Sequence, residues 1–426
     1  MSGSLYAAIS GLNAEQSLLG VVSENIANAN TTGYKSSHVT FGQAMEQTLS
    51  GGTAPTATLG GTNPEQISAG AAVGVDGVNL NMSQGSLQTT GISTNMAIQG
   101  NGFFVVKSPQ GMQYTRAGDF TLDAQGQLVN PQGSLVQGWT AVNGQFTGES
   151  AGNVGPIVIQ PGMTMNPSAT ADPSTGTAAV TVTGNLNAAL ATAATGTSTE
   201  RTVPFTVYDS LGNATTLDLN FSSPTVVSGS GTSWTATVTE PPSTTSLGSG
   251  TVTFGPTGAI TSTPTIAVSM TTTDGSTSPQ TFDISLSAMT ADAASTQLTA
   301  TANGYGQGSL SNYTVGSNGV ITGTFSNGQT QAIAQVALAN FSNNAGLVNV
   351  GNTMWQQSAN SGTPQVGQPA SGNFGSIAGG SVEESNVSLA NQFVNMIMAQ
   401  QGYQANAKVI SVAQTLDTTL VNTIAP

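Results

Sequence analysis

Apolar side chains recur at the two ends of the chain with one spacing and through its middle with another. Near the start, Leu5, Ile9, Leu12, Leu19, Val22 and Ile26 fall three or four positions apart, interrupted only at Gln16. A repeat of about 3.5 residues predicts a long helix with an apolar seam. The last forty residues do the same, through Leu389, Phe393, Met396, Ile397, Tyr403, Ala407, Ile410, Ala413, Leu416, Leu420 and Ile424. They predict a second such helix, and the two seams ask for partners.

The faces beside these seams lack the charges of an ordinary coiled coil. Gln392, Asn395, Gln400, Gln401, Gln404, Asn406 and Gln414 are amides, and residues 381–426 hold only Glu383, Glu384, Lys408 and Asp417 as charges. Little keeps such a helix away from copies of itself, so contact with neighbouring chains on several faces is expected in preference to a lone two-helix hairpin.

After the first helix, Asn25, Asn28 and the threonines of N-I-A-N-A-N-T-T-G-Y-K compete with the backbone for hydrogen bonds, and Gly33, ahead of Tyr34, suits a left-handed cap. The helix should end near here. Residues 36–74 carry Pro55, Pro64 and the glycine pairs Gly51-Gly52 and Gly60-Gly61, and read as an extended linker.

From Val75 the period drops to two. Met96-Ala97-Ile98 and Phe103-Phe104-Val105-Val106 flank Gly100-Asn101-Gly102, while Asn130-Pro131-Gln132-Gly133 and Asn143-Gly144 are turn sequences. Residues 148–301 are rich in Thr, Ser and Gly. Their strand candidates are Val180 to Val182, Val203 to Tyr208, Thr216 to Phe221, Ser233 to Val238 and Thr281 to Leu286, with turn cues at Leu211-Gly212-Asn213 and Asp274-Gly275. Around Thr170 to Thr202 short polar side chains predict weak, exchangeable contacts. Turns at Asn318-Gly319 and Asn327-Gly328 lead back to the final helix.

The predicted fold class is therefore mixed and mainly β, with nested all-β domains inserted between terminal helices that pair in a coiled-coil-like domain. Its expected parts are a helical domain (1–35 with 381–426), a linker (36–74 with 371–380), an inner β-domain (75–147 with 302–370) and an outer β-domain (148–301).

Composition narrows what such a chain does. Of 426 residues only 6% are charged, far below the usual share of about 25%. The net charge of −14 repels phosphate backbones and anionic lipids, so neither nucleic acid nor membrane insertion is expected. There is no Cys and His38 is the sole histidine, which leaves thiolate chemistry, a histidine metal site and a Ser-His-Asp triad without their parts. Glu383-Glu384, just ahead of a helix, suits the positive end of its dipole. No enzyme and no cofactor is expected. The start lacks a cleavable secretory signal, and no stretch approaches the roughly 20 apolar residues of a membrane span.

These motifs also resemble a family. A-I-S-G-L-N-A-E-Q at Ala8 to Gln16, followed by Asn25 to Lys35, is similar to the amino-terminal motif of bacterial flagellar rod and hook proteins. T-N-M-A-I-Q-G-N-G-F-F-V-V from Thr94 and Y-T-R-A-G-D-F-T-L-D-A-Q-G-Q-L-V-N from Tyr114 resemble that family's inner β-domain. E-S-N-V-S-L-A from Glu384 and Y-Q-A-N-A-K-V-I from Tyr403 resemble its carboxy-terminal helix. F-T-V-Y-D-S-L-G-N from Phe205 and V-A-L-A-N-F-S-N-N-A-G-L from Val336 resemble hook members in preference to rod members. The last helix departs from the family at Ser388, near Asn391 and near Gln401, where it usually has charges.

The resemblance implies a subunit exported unfolded, without a cleavable signal, that polymerises with itself outside the cell into a curved tube transmitting torque as a universal joint. Implied partners are the distal rod protein, the hook cap protein, the hook-filament junction proteins and the export apparatus. The implied assembly residues are Leu5, Ile9, Leu12, Leu19, Val22, Asn25, Ile26, Asn28, Gly33, Tyr34, Leu389, Phe393, Met396, Ile397, Tyr403, Asn406, Ile410, Leu416 and Leu420. A distal rod subunit and a surface adhesin-like β-protein are the alternatives.

Overall fold

Both apolar repeats form helices, Ser2–Ala27 and Leu389–Ile424, in the computed structural model. It describes residues 2–43, 46–50, 65–68, 73–146, 154–172, 177–192, 201–227, 231–262 and 265–424. The expected prolines and glycine pairs of 51–64 lie outside the described residues. The first helix stops at Ala27, and Gly33 adopts its left-handed φ of 69° six residues later, in the following turns.

The helices run antiparallel: Gly11 faces Asn406, Glu15 faces Gly402, and Asn25 Nδ2 donates to Gln392 Oε1 at 3.3 Å. Their seam is made of small residues, with Ala8, Ala14, Ala399 and Ala413 buried. A Cβ on Gly11 would stand 2.6 Å from Asn406 Nδ2, so the glycine is what lets the two approach here. This corrects the sequence reading of the second helix. It turns Gln392, Ala399, Gly402 and Asn406 to its partner, and most of the leucine stripe points elsewhere.

Another difference falls in the expected linker. Ser37–Gln43 and Val73–Leu80 pair antiparallel, from Ser37 opposite Leu80 to Gln43 opposite Val73, with a bulge between Thr40 and Phe41. Val39 and Phe41 on one strand and Val73, Val75 and Val78 on the other supply alternation that the surrounding small residues mask. The pair packs on the amino-terminal helix.

Two compact units make up the chain. One comprises Met1–Pro161, Tyr313–Thr322 and Ala332–Pro426; the other comprises Gly162–Asn312 and Gly323–Gln331. In the first, Phe103–Ser108 lies between Gly111–Thr115 on one side and Leu135–Val142 and Leu338–Asn340 on the other. Beyond Gly111–Thr115 come Met354–Gln356 and then Val348–Gly351. Phe103, Tyr114, Trp139, Phe341 and Trp355 fill one face of this sheet. Phe104 meets Phe120 edge to face at 5.1 Å. The sequence turns behave as their chemistry requires: Gly133 N–H donates to Asn130 O at 2.9 Å, and Asn143 and Gly144 have φ of 51° and 76°.

In the second unit an antiparallel meander, Arg201–Tyr208, Ala214–Val227, Gly231–Thr239 and Ser246–Phe254, shares one core with a sheet ordered Thr265–Met270, Gln280–Thr290, Val180–Asn185, Gln297–Ala302. Each of the five strand candidates lies in one of these strands, and Phe205, Phe221 and Trp234 are core residues. Thr170, expected among exchangeable surface contacts, is instead fully buried and accepts the Tyr208 N–H at 2.9 Å.

Candidate assembly site

Where the chain leaves the first helix and enters the second, a buried polar hub ties both to the inner β-sheet. Ser381–Glu383 pairs with Leu87–Thr89, which carries Glu383 inward until its side chain is fully buried. Lys35 Nζ donates to Glu383 Oε1 at 2.7 Å and to Ser83 O at 2.7 Å. Arg116 Nη1 meets Glu383 Oε2 at 3.5 Å, Nη2 donates to Gly100 O at 2.8 Å, and the guanidinium carbon lies 5.3 Å from the centre of the Phe103 ring. Gly85 N–H also donates to Glu383 Oε1, and Gly33 N–H donates to the Glu383 carbonyl.

One carboxylate thus serves two buried cations. Burial pushes the pKa values of Lys35 and Arg116 down, and the Glu383 charge pulls them back up. Sequence reasoning gave Glu383 to the helix dipole, and this is a correction: it precedes the helix by six residues and neutralises charge from distant segments. A signal was present, because Lys35 and Arg116 are two of only five basic residues and both stand inside the family motifs.

Four of the expected assembly residues belong to this intrachain junction. Asn25 is buried; its Oδ1 accepts from Ser37 N–H at 2.9 Å and from the Tyr34 hydroxyl at 3.2 Å. Asn28 Nδ2 donates to Glu24 O, closing the end of the helix. Gly33 sits against the backbone of Arg116 and Ala117 where no Cβ fits. Asn386, which the sequence did not single out, accepts from Ser36 N–H at 2.8 Å and donates to Asn81 O at 2.8 Å.

Tyr34 carries a measurable consequence. Burial, helped by the Glu24 charge, pushes its pKa up from 10.0 to about 12. In that window the unfolded phenol loses its proton while the folded one keeps it, so Tyr34 lowers stability as pH rises. Urea midpoints followed across this range will fall more steeply for the native chain than for Tyr34→Phe. Equal slopes would show that the phenol stays equally protonated in both states.

The remaining expected residues divide by exposure. Val22 is buried, and Leu5, Leu12, Leu19, Ile26, Met396, Asn406 and Ile410 are half-buried. Ile9, Leu389, Phe393, Ile397, Tyr403, Leu416 and Leu420 are exposed. Val394, Met398, Val409, Val412 and Val421 are exposed too and escaped the sequence reading, because they fall off the single stripe it followed. Away from the seam that faces its partner, the carboxy-terminal helix presents apolar residues on several faces. Amides, hydroxyls and Lys408 are interspersed among them, and exposed apolar side chains in that number suit a surface that meets protein partners. No group of three or more His, Cys, Asp and Glu that could hold a metal occurs among the described residues.

Four family models match in order along the chain. The flagella basal body rod protein model covers residues 5–35, the flagellar hook protein FlgE/F/G D1 domain covers 97–188, the flagellar basal body protein FlaE D2 domain covers 181–305, and the flagellar basal body rod FlgEFG protein C-terminal covers 378–423. With the paired terminal helices, they define an axial protein of the bacterial flagellum. The chain is 36% identical over 472 residues to the flagellar hook protein FlgE of Treponema pallidum, covering 99% of each chain. It is 34% identical over 429 residues to that of Salmonella typhimurium, covering 97% of this chain and 98% of that protein.

The chain belongs to the flagellar hook protein family, and rod and adhesin readings are not favoured. The crystal structure of Helicobacter pylori flagellar hook protein FlgE2 aligns with a TM-score of 0.44 at 16% identity, over 68% of this chain and 98% of that one, too loosely to add to the assignment. Membership places the protein in the hook of the flagellum as a structural component. No helix among the described residues is long and apolar enough to cross a membrane.

Proposed function

We propose that this chain is the repeating unit of a tubular homopolymer, the hook, which bends as a universal joint while passing motor torque to the filament. In this reading residues 1–35 and 381–426 line the tube, 36–74 and 371–380 connect them to an inner β-layer (75–147 with 302–370), and 148–301 form the outer layer. The subunit leaves the cell unfolded through the flagellar export apparatus. It meets the distal rod protein at one end of the tube, and the hook cap and then the hook-filament junction proteins at the other.

The observation that carries the reading is the set of large apolar side chains on several faces of the carboxy-terminal helix, from Leu389 to Val421, left exposed in a single subunit. Ordering a residue costs about 1–2 kcal/mol of backbone entropy, and burying a Leu or Ile returns roughly 1.5–3 kcal/mol. A helix touching one partner through alanines and amides gains little from that source, and neighbours on its other faces supply the rest.

Electron microscopy of the purified protein at high concentration tests this directly, with tubes expected; a protein that stays monomeric under all polymerising conditions overturns it. Limited proteolysis gives a second readout. The terminal helices of the free subunit will be cut well before the β-core, and in the tube both will resist. Ends as resistant as the core in the monomer would reject folding coupled to assembly.

A further inference from the structure

The strand Val348–Gly351 ends the inner sheet, pairing on one side with Met354–Gln356 and leaving its other edge open. Val348 and Val350 are 51% and 39% exposed. Charge is one way folded proteins protect such an edge, and residues 341–356 contain none; the four-residue strand is guarded only by its shortness and by a register shift between Asn349 and Gly351. The tip joining the two strands is strained: Asn352 and Thr353 hold φ of 52° and 55°, an uncommon conformation for a β-branched residue. Such strain persists where surrounding contacts impose it, and it clusters at working surfaces. Here Thr115 Oγ1 donates to Thr353 O at 2.9 Å and pins the tip.

Beside the hairpin lies a cavity of about 490 Å³ lined by Gln110, Gln113, Gln132, Ser134, Val350 and Gln356, with no charged residue in its walls. Gln113 is only 7% exposed and its Oε1 has no hydrogen-bond partner. A buried acceptor left unmet is costly, and a donor brought by a ligand would meet it. The opposite side, with Asn349, Gly351, Thr353 and Trp355, borders a second cavity of about 390 Å³, where the buried Trp355 Nε1–H likewise lacks an acceptor.

We propose that this open edge, with the amide-lined cavity beside it, docks an uncharged extended segment of a second copy of the chain. Backbone groups of the incoming segment would extend the sheet, and one of its N–H groups would reach Gln113. A nucleic acid, a lipid headgroup or an acidic peptide would bring charge that nothing in the lining meets. A copy of this chain brings long neutral stretches, since only 6% of its residues are charged. Polymerisation implied by the hook protein family supplies copies of this chain as neighbours. The inference rests on the polymer reading above.

The absence of Cys gives a clean test. Val350→Cys carries the chain's sole thiol, to be labelled with a thiol-reactive benzophenone and irradiated in the free subunit and in assembled tubes. The expected result is a copy-to-copy cross-link at least tenfold stronger in tubes than in free subunits at equal concentration, with the captured peptide uncharged. Tubes that form with cross-links absent, or only within one chain, overturn the docking site and leave the polymer reading standing. If the native chain forms no tubes, the polymer reading itself fails.

A label that blocks assembly at Val350→Cys, while the same label at the exposed Leu211→Cys does not, also supports the site. Assembly lost with both labels counts against it.

Discussion

Replacing Phe393 and Ile397 together by aspartate abolishes tube formation and leaves the fold of the free subunit intact. The two side chains are 51% and 53% exposed on the carboxy-terminal helix. Exposed substitutions of this kind change stability by about 0.5 kcal/mol or less. In the proposed tube the same residues would face neighbours. Burying the half of each side chain that the free subunit exposes contributes roughly 1.5–3 kcal/mol per copy for the two, and a buried carboxylate adds a desolvation penalty on top.

With about 1.4 kcal/mol for each tenfold in an equilibrium constant, the concentration at which tubes appear rises more than ~100-fold. Sedimentation assays beside thermal melts of the soluble subunit read both parts. Phe393→Leu with Ile397→Leu, apolar and helix-compatible, should keep assembly. Tubes at the native concentration from the aspartate variant would remove the helix surface from any role in assembly.

Glu383→Gln is expected to cost the subunit about 3–5 kcal/mol, because it removes one partner of a buried ion cluster and leaves its cations unanswered. Lys35 and Arg116 share that single carboxylate, so the amide strands two positive charges in a site already closed to water. Urea denaturation of the subunit measures the loss. Adding Lys35→Met to Glu383→Gln should recover part of it, since one stranded charge is gone, and the two substitutions will not be additive. A loss below about 1 kcal/mol for the single variant would mean that water or a conformational shift relieves the cluster.

The two helices were legible because their apolar repeats are long, broken in the first only at Gln16. Their mutual packing was not. A count of apolar positions follows Phe393, Ile397 and Leu416, whereas the helices touch through Gly11, Ala14, Ala399 and Gly402, residues chosen for their lack of bulk. Close approach of backbones is invisible to a hydrophobicity pattern.

Asn143-Gly144 was read correctly since its left-handed φ values are a local property of two residues. Glu383 lay beyond such reading because its partners are 348 and 267 positions away, and adjacency to a helix suggested a nearer role. In Ser37–Gln43 the alternation of Val39 and Phe41 was drowned by small neighbours, and only pairing with Val73–Leu80 reveals it.

The hub around Glu383 joins residues far apart in the chain, with a consequence for a chain exported as proposed. Its first cation is residue 35 and its carboxylate is residue 383 of 426. A polypeptide delivered amino end first therefore lacks the counter-ion until most of its length has arrived. Until then Lys35 and Arg116 favour water over the interior, and the joint between helices and sheet stays open. On the proposed export reading, the late-arriving acid would leave this joint unclosed until the carboxy-terminal part of the chain is present.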